Sequence, residues 1–284
     1  MRPYILLFAA LLFAAPLLHA GGPWPQEKNG GYLKLSEWWI VADRHFTSGG
    51  ETDPNVTGGY YATVLYGEYG ITDRWTAIVN APLFARATVN NLLSGTTNEV
   101  IEAGDAINSV GDIEIGIKYG LITDKRVVVA ASLFLGLPTG QDVGGRQMNL
   151  QTGDGEFNQY LRLDAGTSLG RSYVSAYAGF NQRTNNFSDE WRAGLEAGTT
   201  FCDQKIGLTG RLDVVESLQN GALNSEAGAG TSIFANNTEF VAVSAEARYA
   251  IRKNLGVSAG VGGALRGSLI YAAPSYTVGV YYSW

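Results

Sequence analysis

The last nine residues of the chain, 276–284, alternate large apolar side chains with small or polar ones and end on an aromatic residue. The large side chains are Tyr276, Val278, Val280, Tyr282 and Trp284. A terminal strand of this kind looks like the insertion signal that the bacterial barrel-assembly machinery reads. Such a strand pairs with the first strand, and a closed barrel leaves no backbone hydrogen bond unsatisfied in lipid. We therefore expect a β-barrel surrounded by outer-membrane lipid.

The other end of the chain has the pattern of a secretory signal peptide. Residues 4–18 are almost wholly apolar, and the small residue Ala20 stands ahead of Gly21. An N-terminal transmembrane helix is the competing interpretation, but the apolar run is near the lower length limit for spanning, and glycine and proline follow at once. We expect residues 1–20 to be a cleaved signal peptide and residues 21–284 to form one outer-membrane β-barrel.

Composition narrows the range of partners and cofactors. Removal of residues 1–20 changes the 20 basic and 26 acidic residues to 19 and 26, a net charge of −7, because only Arg2 is lost. This excess of acid argues against a nucleic-acid partner. Cys202 is the single cysteine, so it cannot form an internal disulfide, and His45 is the only histidine beyond residue 20. We expect no metal site and no cofactor.

A two-residue period gives the clearest structural signal, over residues 111–121. Isoleucines at 113, 115 and 117 fall on one face with Tyr119 and Leu121, whereas charged residues and glycines fall on the other. A helix would scatter these isoleucines around its circumference. The same period recurs at residues 75–83, 156–165, 190–197 and 241–249, and more weakly at 32–46, 58–70, 127–138, 173–183, 205–216, 255–263 and 276–284. The pattern predicts about twelve strands, with a phase break near Glu37 that suggests a bulge or an entry of the chain from the periplasm.

The connections between these strands are of two alternating kinds. Tight turns at 71–74, 122–125, 170–172, 202–204 and 252–254 alternate with longer links at 47–57, 84–110, 139–155, 184–189, 217–237 and 264–275. Outer-membrane barrels have short periplasmic turns and longer extracellular loops, whereas a periplasmic β-sandwich, the main rival, has no reason to sort its loops. The sequence therefore predicts an all-β fold, a single transmembrane antiparallel β-barrel of about twelve strands of the bacterial outer-membrane type.

Four segments also resemble a known family. They are residues 69–75, residues 111–121, Leu137-Pro138-Thr139-Gly140 and Thr152-Gly153-Asp154-Gly155. Together they resemble the outer-membrane proteins of the meta-pathway of phenol degradation family, over roughly residues 60–284. The resemblance implies a barrel that moves small organic molecules, aromatic ones among them. It assigns no functional residues, and the family name does not imply that phenol is the permeant.

Charged side chains opposite the apolar faces are expected to point into the barrel. They are Asp112, Glu114, Lys118, Arg162, Asp164, Arg192, Glu196, Arg211, Asp213, Glu246 and Arg248. One hypothesis is that they line a water-filled constriction on the path of a permeant. The other is that they pair across the lumen and fill it, since a buried charge needs a partner.

We expect a channel or transporter that passes small molecules, aromatic or hydrophobic ones included, across the outer membrane. The alternative is a barrel with a sealed lumen that acts as a structural or binding protein. A hydrolase is a less favoured third hypothesis, which would require a histidine base. Among residues 21–284 only His45 offers one, and a histidine at a strand end is more often an interfacial polar residue. We therefore expect no enzyme and no catalytic residue.

Overall fold

The computed structural model describes residues 21–146, 149–222 and 232–284, so the predicted signal peptide lies outside the described residues. Twelve long strands form one antiparallel barrel. In chain order they are β1 (Gly31–Phe46), β2 (Thr52–Gly70), β3 (Trp75–Val89), β4 (Ile113–Ile122), β5 (Val127–Leu137), β6 (Asn158–Leu169), β7 (Ser172–Arg183), β8 (Glu190–Phe201), β9 (Ile206–Ser217), β10 (Glu239–Arg252), β11 (Leu255–Ser268) and β12 (Ser275–Ser283). The predicted fold class is confirmed.

The barrel closes through its terminal strands. β12 pairs antiparallel with β1, from Tyr32 opposite Ser283 to Ile40 opposite Ser275. Every other long strand pairs with its neighbours in the chain, which completes the ring. Such closure removes the unpaired backbone groups of a sheet edge, which lipid could not satisfy.

Alternate side chains point to lipid and to the lumen, as the two-residue period of a strand requires. In β4, Ile115 and Leu121 are exposed on the outer surface, whereas Lys118 is buried inside. The terminal set is exposed in the same way: Tyr276, Val278, Val280, Tyr282 and Trp284. The role of this set as an insertion signal stays a prediction.

Three strands extend further toward the long loops than the sequence pattern predicts. β2 begins at Thr52, β3 ends at Val89 and β11 ends at Ser268. The extension of β2 is mostly polar, whereas that of β3 includes Ala85 and Ala87 of the buried apolar cluster. All three extensions stay in the ladder because each pairs with a neighbouring strand. The link predicted at 84–110 also contains the short strand Asp105–Ser109, which pairs with β3, and a small hairpin of Leu92–Leu93 with Val100–Glu102.

The bulge predicted near Glu37 is wrong. Glu37 stays in register, opposite Thr63 of β2 and Val278 of β12, and the register shift of β1 against β2 lies between Ala42 and Arg44. Glu37 lies on the outward-facing side of β1, where the neighbouring residues of the same phase are apolar. A single polar residue at such a position interrupts the hydrophobic alternation in the sequence without any change in the strand. Thr63 Oγ1 donates to Glu37 Oε2 at 2.7 Å, which gives this carboxylate a partner within the wall.

Short and long connections lie at opposite ends of the barrel. The short ones join β2 to β3, β4 to β5, β6 to β7, β8 to β9 and β10 to β11. We assign this end to the periplasm, as in other outer-membrane barrels. Within the described residues, no helix has the length and apolar character needed to cross a membrane.

Candidate functional site: the barrel lumen

Residues 21–26, which precede β1, fold back into the barrel. The backbone N–H of Gln26 donates to Thr76 Oγ1 at 2.8 Å, and Gln26 Nε2 donates to Glu68 Oε2 at 2.8 Å. Both partners are buried side chains of the barrel wall. We call residues 21–26 the plug, because they occupy the lumen near its periplasmic end, whereas residues 27–29 are exposed at its rim.

A glycine of the wall makes room for the plug. Pro23 is fully buried, and the ring of Trp24 meets that of Tyr173 edge-on, with ring centroids 5.5 Å apart. A Cβ atom added to Gly166 would lie 2.9 Å from side-chain atoms of both Pro23 and Trp24. A larger residue at this position would therefore collide with the plug.

A belt of ion pairs crosses the lumen above the plug. Arg211 Nε donates to Glu196 Oε2 at 2.6 Å, and Arg211 Nη1 donates to Glu246 Oε2 at 3.2 Å. Lys34 Nζ also donates to Glu246. Lys34 lies on β1 and Glu246 on β10, with β11 and β12 between them in the wall. The pair of Lys34 with Glu246 therefore bridges two intervening strands on the lumen side, whereas Arg211 joins carboxylates of the strands next to its own.

A second group of charges continues the belt around the wall. Arg162 Nε donates to Asp164 Oδ1 at 2.9 Å, and the Arg162 guanidinium lies over the ring of Tyr177, 4.1 Å from its centroid. The Tyr177 hydroxyl donates to Asp213 Oδ1 at 2.7 Å. Tyrosine side chains therefore supply some of the contacts of these partly buried charges. Burial of such charges without partners would cost free energy.

A cavity of about 390 Å³ remains between the plug and the belt. Its wall includes side chains of both charges, Lys34, Arg162, Arg211, Glu196 and Asp213, together with Gly21 and Gly22 of the plug. This volume is within the range of small-molecule sites, roughly 300–1,000 Å³. The cavity is large enough for a small organic molecule, and its wall offers both hydrogen-bond donors and acceptors.

Toward the extracellular end, apolar side chains fill the lumen. The cluster comprises Ile40, Ala42, Tyr60, Ala62, Ala85, Ala87, Leu150 and Tyr271. Leu150 belongs to the loop 138–157 and is fully buried, and the ring of Phe234 packs on Tyr60 with centroids 5.4 Å apart. Two of the long loops therefore fold inward and cap the lumen.

One arginine ties the loop 138–157 to the wall. Arg183 of β7 donates to Asp154, Glu156 and Glu190, each at 2.8 Å, and only 7% of its side chain is exposed. Asp154 is a loop residue outside the spanning strands. Burial raises the pKa of its carboxyl to about 7; the Arg183 guanidinium opposes this rise and the Glu156 carboxylate adds to it.

The structure brings most of the predicted lumen residues together in the belt. Those that line the cavity are Arg162, Glu196, Arg211, Asp213 and Glu246, and Asp164 is the hydrogen-bond partner of Arg162. Lys118 lies nearer the periplasm, where its Nζ donates to the Trp24 carbonyl of the plug at 3.5 Å. Arg248 lies on the lumen side of β10 against Gly207. That these residues form the path of a permeant stays a prediction.

Three predicted residues lie nearer the extracellular loops. Arg192 donates to Glu190 at 2.7 Å and so extends the Arg183 cluster. Glu114 faces the same part of the lumen, within electrostatic reach of Arg192. Asp112 has a different role, since its carboxylate accepts the backbone N–H groups of Gly140 and Asp154 at 2.8 Å each. Asp112 therefore fixes the loop 138–157.

Several residues of the lumen were not singled out from the sequence. They are the plug, Lys34, Tyr66, Glu68, Arg183 and Glu190. Lys34 alternates with Leu33 and Leu35, so its phase in β1 was a usable signal. The plug has no periodic pattern, and no signal in its sequence places it inside the barrel.

His45 lies away from the cavity, at the loop end of β1, opposite Asp53 of β2 and Tyr271. Its Nδ1 atom is buried and makes no hydrogen bond within the described part of the chain. Residues 21–146, 149–222 and 232–284 contain no group of three or more histidine, cysteine or acidic residues that could hold a metal ion. The lumen, and not His45, is the candidate site.

Comparison with known proteins gives structural matches only. No protein-family model matches the chain, and no curated protein is significantly similar to it in sequence. Among solved structures, it is similar to an outer-membrane channel from Pseudomonas putida F1, with a TM-score of 0.66, 12% identity, and coverage of 94% of this chain and 100% of that one. It is also similar to the translocator domain of the autotransporter NalP from Neisseria meningitidis, with a TM-score of 0.51, 12% identity, and coverage of 90% and 88%. The chain is therefore a twelve-stranded antiparallel β-barrel of the bacterial outer-membrane type.

Proposed function

We propose that the protein is an outer-membrane channel for small molecules, and that the plug and the inward-folded loops narrow its lumen. The observation that carries this proposal is the cavity of about 390 Å³ between the plug and the ion-pair belt. A barrel that served only as a scaffold would have no need to keep a charged cavity of this size. The similarity to a solved outer-membrane channel in fold is consistent with this role.

The permeants we propose are small organic molecules with an apolar part. The apolar cluster at the extracellular end, which includes Ile40, Tyr60 and Leu150, would be met before the belt. The belt then offers guanidinium, carboxylate and phenol groups to a polar end of the same molecule. The resemblance to the meta-pathway of phenol degradation family, made on sequence motifs, supports this class of permeant. The family membership itself is part of the proposal.

A sealed barrel with a structural or binding role is the alternative. It is favoured by the ion pairs of Arg211 with Glu196 and Glu246, because opposed charges that satisfy one another can simply fill a lumen. A hydrolase is less favoured, because His45 lies outside the lumen cluster. Loss of a lipase or protease activity in a His45→Ala variant would revive that hypothesis, whereas an inactive parent protein would end it.

Solute flux into liposomes tests the proposal. We expect vesicles with the refolded mature protein to take up small aromatic acids faster than protein-free vesicles. A Gly166→Val variant, which forces a side chain against Pro23, should take them up faster still. Gly210→Val is the matched control, since the nearest atom to an added Cβ there is 4.0 Å away. Equal uptake by all vesicles, from proteins that keep the heat-modifiable mobility of a folded barrel, would favour the sealed alternative.

A further inference from the structure

A buried carboxylate of the wall holds the first residue of the plug. Gly21 N donates to Glu68 Oε1 at 2.8 Å, and the Tyr66 hydroxyl donates to the same oxygen. Gln26 Nε2 donates to the other oxygen at 2.8 Å. Glu68 itself is only 2% exposed. The start of the plug therefore lies against one of the most buried acids described in the barrel.

The hydrogen bonds described for Glu68 come from uncharged donors. Lys118 Nζ is 3.9 Å from Glu68 Oε1, which is beyond hydrogen-bond distance, and it donates to the Trp24 carbonyl instead. A carboxylate this deeply buried is stabilised most when an ionised donor hydrogen-bonds to it directly. Lys118 therefore forms only a loose ion pair with Glu68, and a charged donor at the Gly21 nitrogen would be the first cation to hydrogen-bond to this carboxylate directly.

Gly21 is also the residue that follows the predicted signal-peptide cleavage site at Ala20. Hydrolysis of the Ala20–Gly21 peptide bond adds one water molecule: Ala20 leaves with a carboxylate, and the Gly21 nitrogen takes up protons to become an α-ammonium group. An α-amino group is largely protonated at neutral pH. The same nitrogen that donates to Glu68 as an amide would then donate as a cation.

We propose that signal-peptide removal at Gly21 creates an ion pair between the new α-ammonium group and the buried carboxylate of Glu68, and that this pair holds the plug in the lumen. The surroundings of Gly21 suit a charged terminus. Nothing lies within 4 Å of a Cβ added to Gly21, and Gly21 borders the polar cavity, so the remaining ammonium protons can reach water. The φ angle of Gly21 is +87°, which favours glycine at the position where cleavage would leave the terminus.

Pairing has a direct consequence for the chemistry of the terminus. An amine-reactive reagent attacks only the neutral amine, so an amino group that pairing keeps protonated reacts slowly. The test uses mature protein isolated from outer membranes and needs no conduction through the lumen, so its failure is distinct from failure of the proposed channel function. Mass spectrometry first identifies the N-terminal residue, and α-amine labelling by a succinimidyl ester is then followed in folded and in denatured protein.

We expect a mature protein that begins at Gly21, with α-amine labelling about tenfold slower in the folded than in the denatured state, the effect of a one-unit change in protonation equilibrium. Glu68→Gln should abolish most of this protection. Glu37→Gln is the control, since Glu37 lies on the outer face of β1 and accepts from Thr63 and not from the plug. If Glu68→Gln fails to fold, insertion of Gly-Ser between Ala20 and Gly21 displaces the ammonium group while Glu68 is kept, and should abolish protection equally. A different N-terminal residue, or equal labelling rates in wild type and variants, would overturn the proposal.

Discussion

Arg211 Nε lies 2.6 Å from Glu196 Oε2, on the strand next to its own, and a second nitrogen of the same guanidinium reaches Glu246 on the other side. One arginine of β9 thus joins carboxylates of β8 and β10. The charge of the lumen wall is therefore balanced between neighbouring strands. Removal of the Arg211 side chain would therefore leave Glu196 and Glu246 on the cavity wall without this shared partner.

Reversal of the Arg211 charge should change the ion preference of the lumen. In Arg211→Glu, the new carboxylate joins Glu196 and Glu246, so cations should be preferred more strongly than in wild type. The reversal potential of a bilayer with a KCl gradient measures this preference. Arg252→Glu, an equal change of charge at the exposed turn end of β10, should leave it unchanged. Identical shifts from both variants would show that Arg211 does not line the ion path.

Arg183 should be among the most sensitive residues for stability. Arg183→Met leaves Asp154, Glu156 and Glu190 without their shared cation, and loss of one partner of a buried ion pair costs about 3–5 kcal/mol. The urea midpoint of unfolding in detergent measures the loss.

A matched arginine in the loops provides the contrast for that experiment. The Arg146 side chain is 64% exposed, and its Nε lies 3.6 Å from Asp105 Oδ2. An exposed pair of this kind contributes less than about 1 kcal/mol, so Arg146→Met should scarcely move the midpoint. Similar losses of stability in Arg183→Met and Arg146→Met would contradict the conclusion that burial makes the ion pairs of Arg183 important for stability.

Attachment of the loop 138–157 should weaken as pH rises. The pKa of Asp154 is raised from 3.8 to about 7 in the folded protein, where Asp112, Glu156 and Arg183 face it. A group with a raised folded pKa contributes stability that is present in full below its unfolded pKa of 3.8 and is lost as pH rises through about 7. Hydrogen exchange in this loop, corrected for the intrinsic rate, should therefore be slower at low pH than at high pH.

Two substitutions in the same loop separate this effect from a general pH response. Asp154→Asn should remove most of the pH dependence, because the titrating group is gone. Asp142→Asn replaces an exposed acid of the loop and should leave the dependence in place. If the pH dependence of hydrogen exchange were unchanged in Asp154→Asn, Asp154 would not be the group whose titration weakens the attachment of the loop.

The apolar cap should depend on Leu150. This side chain is 0% exposed within the cluster that includes Ile40 and Tyr60, so Leu150→Ala removes a buried contact worth about 2–5 kcal/mol. We expect faster proteolysis within residues 138–157 of the folded barrel. Val143→Ala, at an exposed position of the same loop, should be cleaved at the wild-type rate. A slow, wild-type rate in Leu150→Ala would mean that the cap is held by other contacts.

The membrane-spanning part of the fold follows from local patterns. The alternation of Ile115 and Lys118 with their neighbours reports which side faces lipid, because lipid accepts only apolar side chains and each strand exposes every second residue. Strand ends are less predictable. Residues 52–57 of β2 are polar and stand above the membrane, where water and lipid no longer impose alternation, so the ladder continues without a sequence signal.

The hydrogen-bond partners of the charged lumen side chains depend on strand register and on a loop segment that has no periodic sequence pattern. Arg162 pairs with Asp164 two residues along its own strand, whereas Asp213 accepts from Tyr177, two strands away in the wall. Contacts of the second kind follow from the stagger of the whole barrel, which no local pattern reports. Asp112 follows the lumen phase of its strand but holds loop backbone, because the loop 138–157 folds inward over it.

Single-channel recording in a planar bilayer tests the central claim most directly. The refolded mature protein should give discrete conductance steps, and Gly166→Val should give steps about twofold larger or more, because displacement of the plug widens the periplasmic part of the lumen. Gly210→Val should match wild type. Silence from all three proteins, each with the heat-modifiable mobility of a folded barrel, would contradict a channel and leave the sealed lumen as the better account.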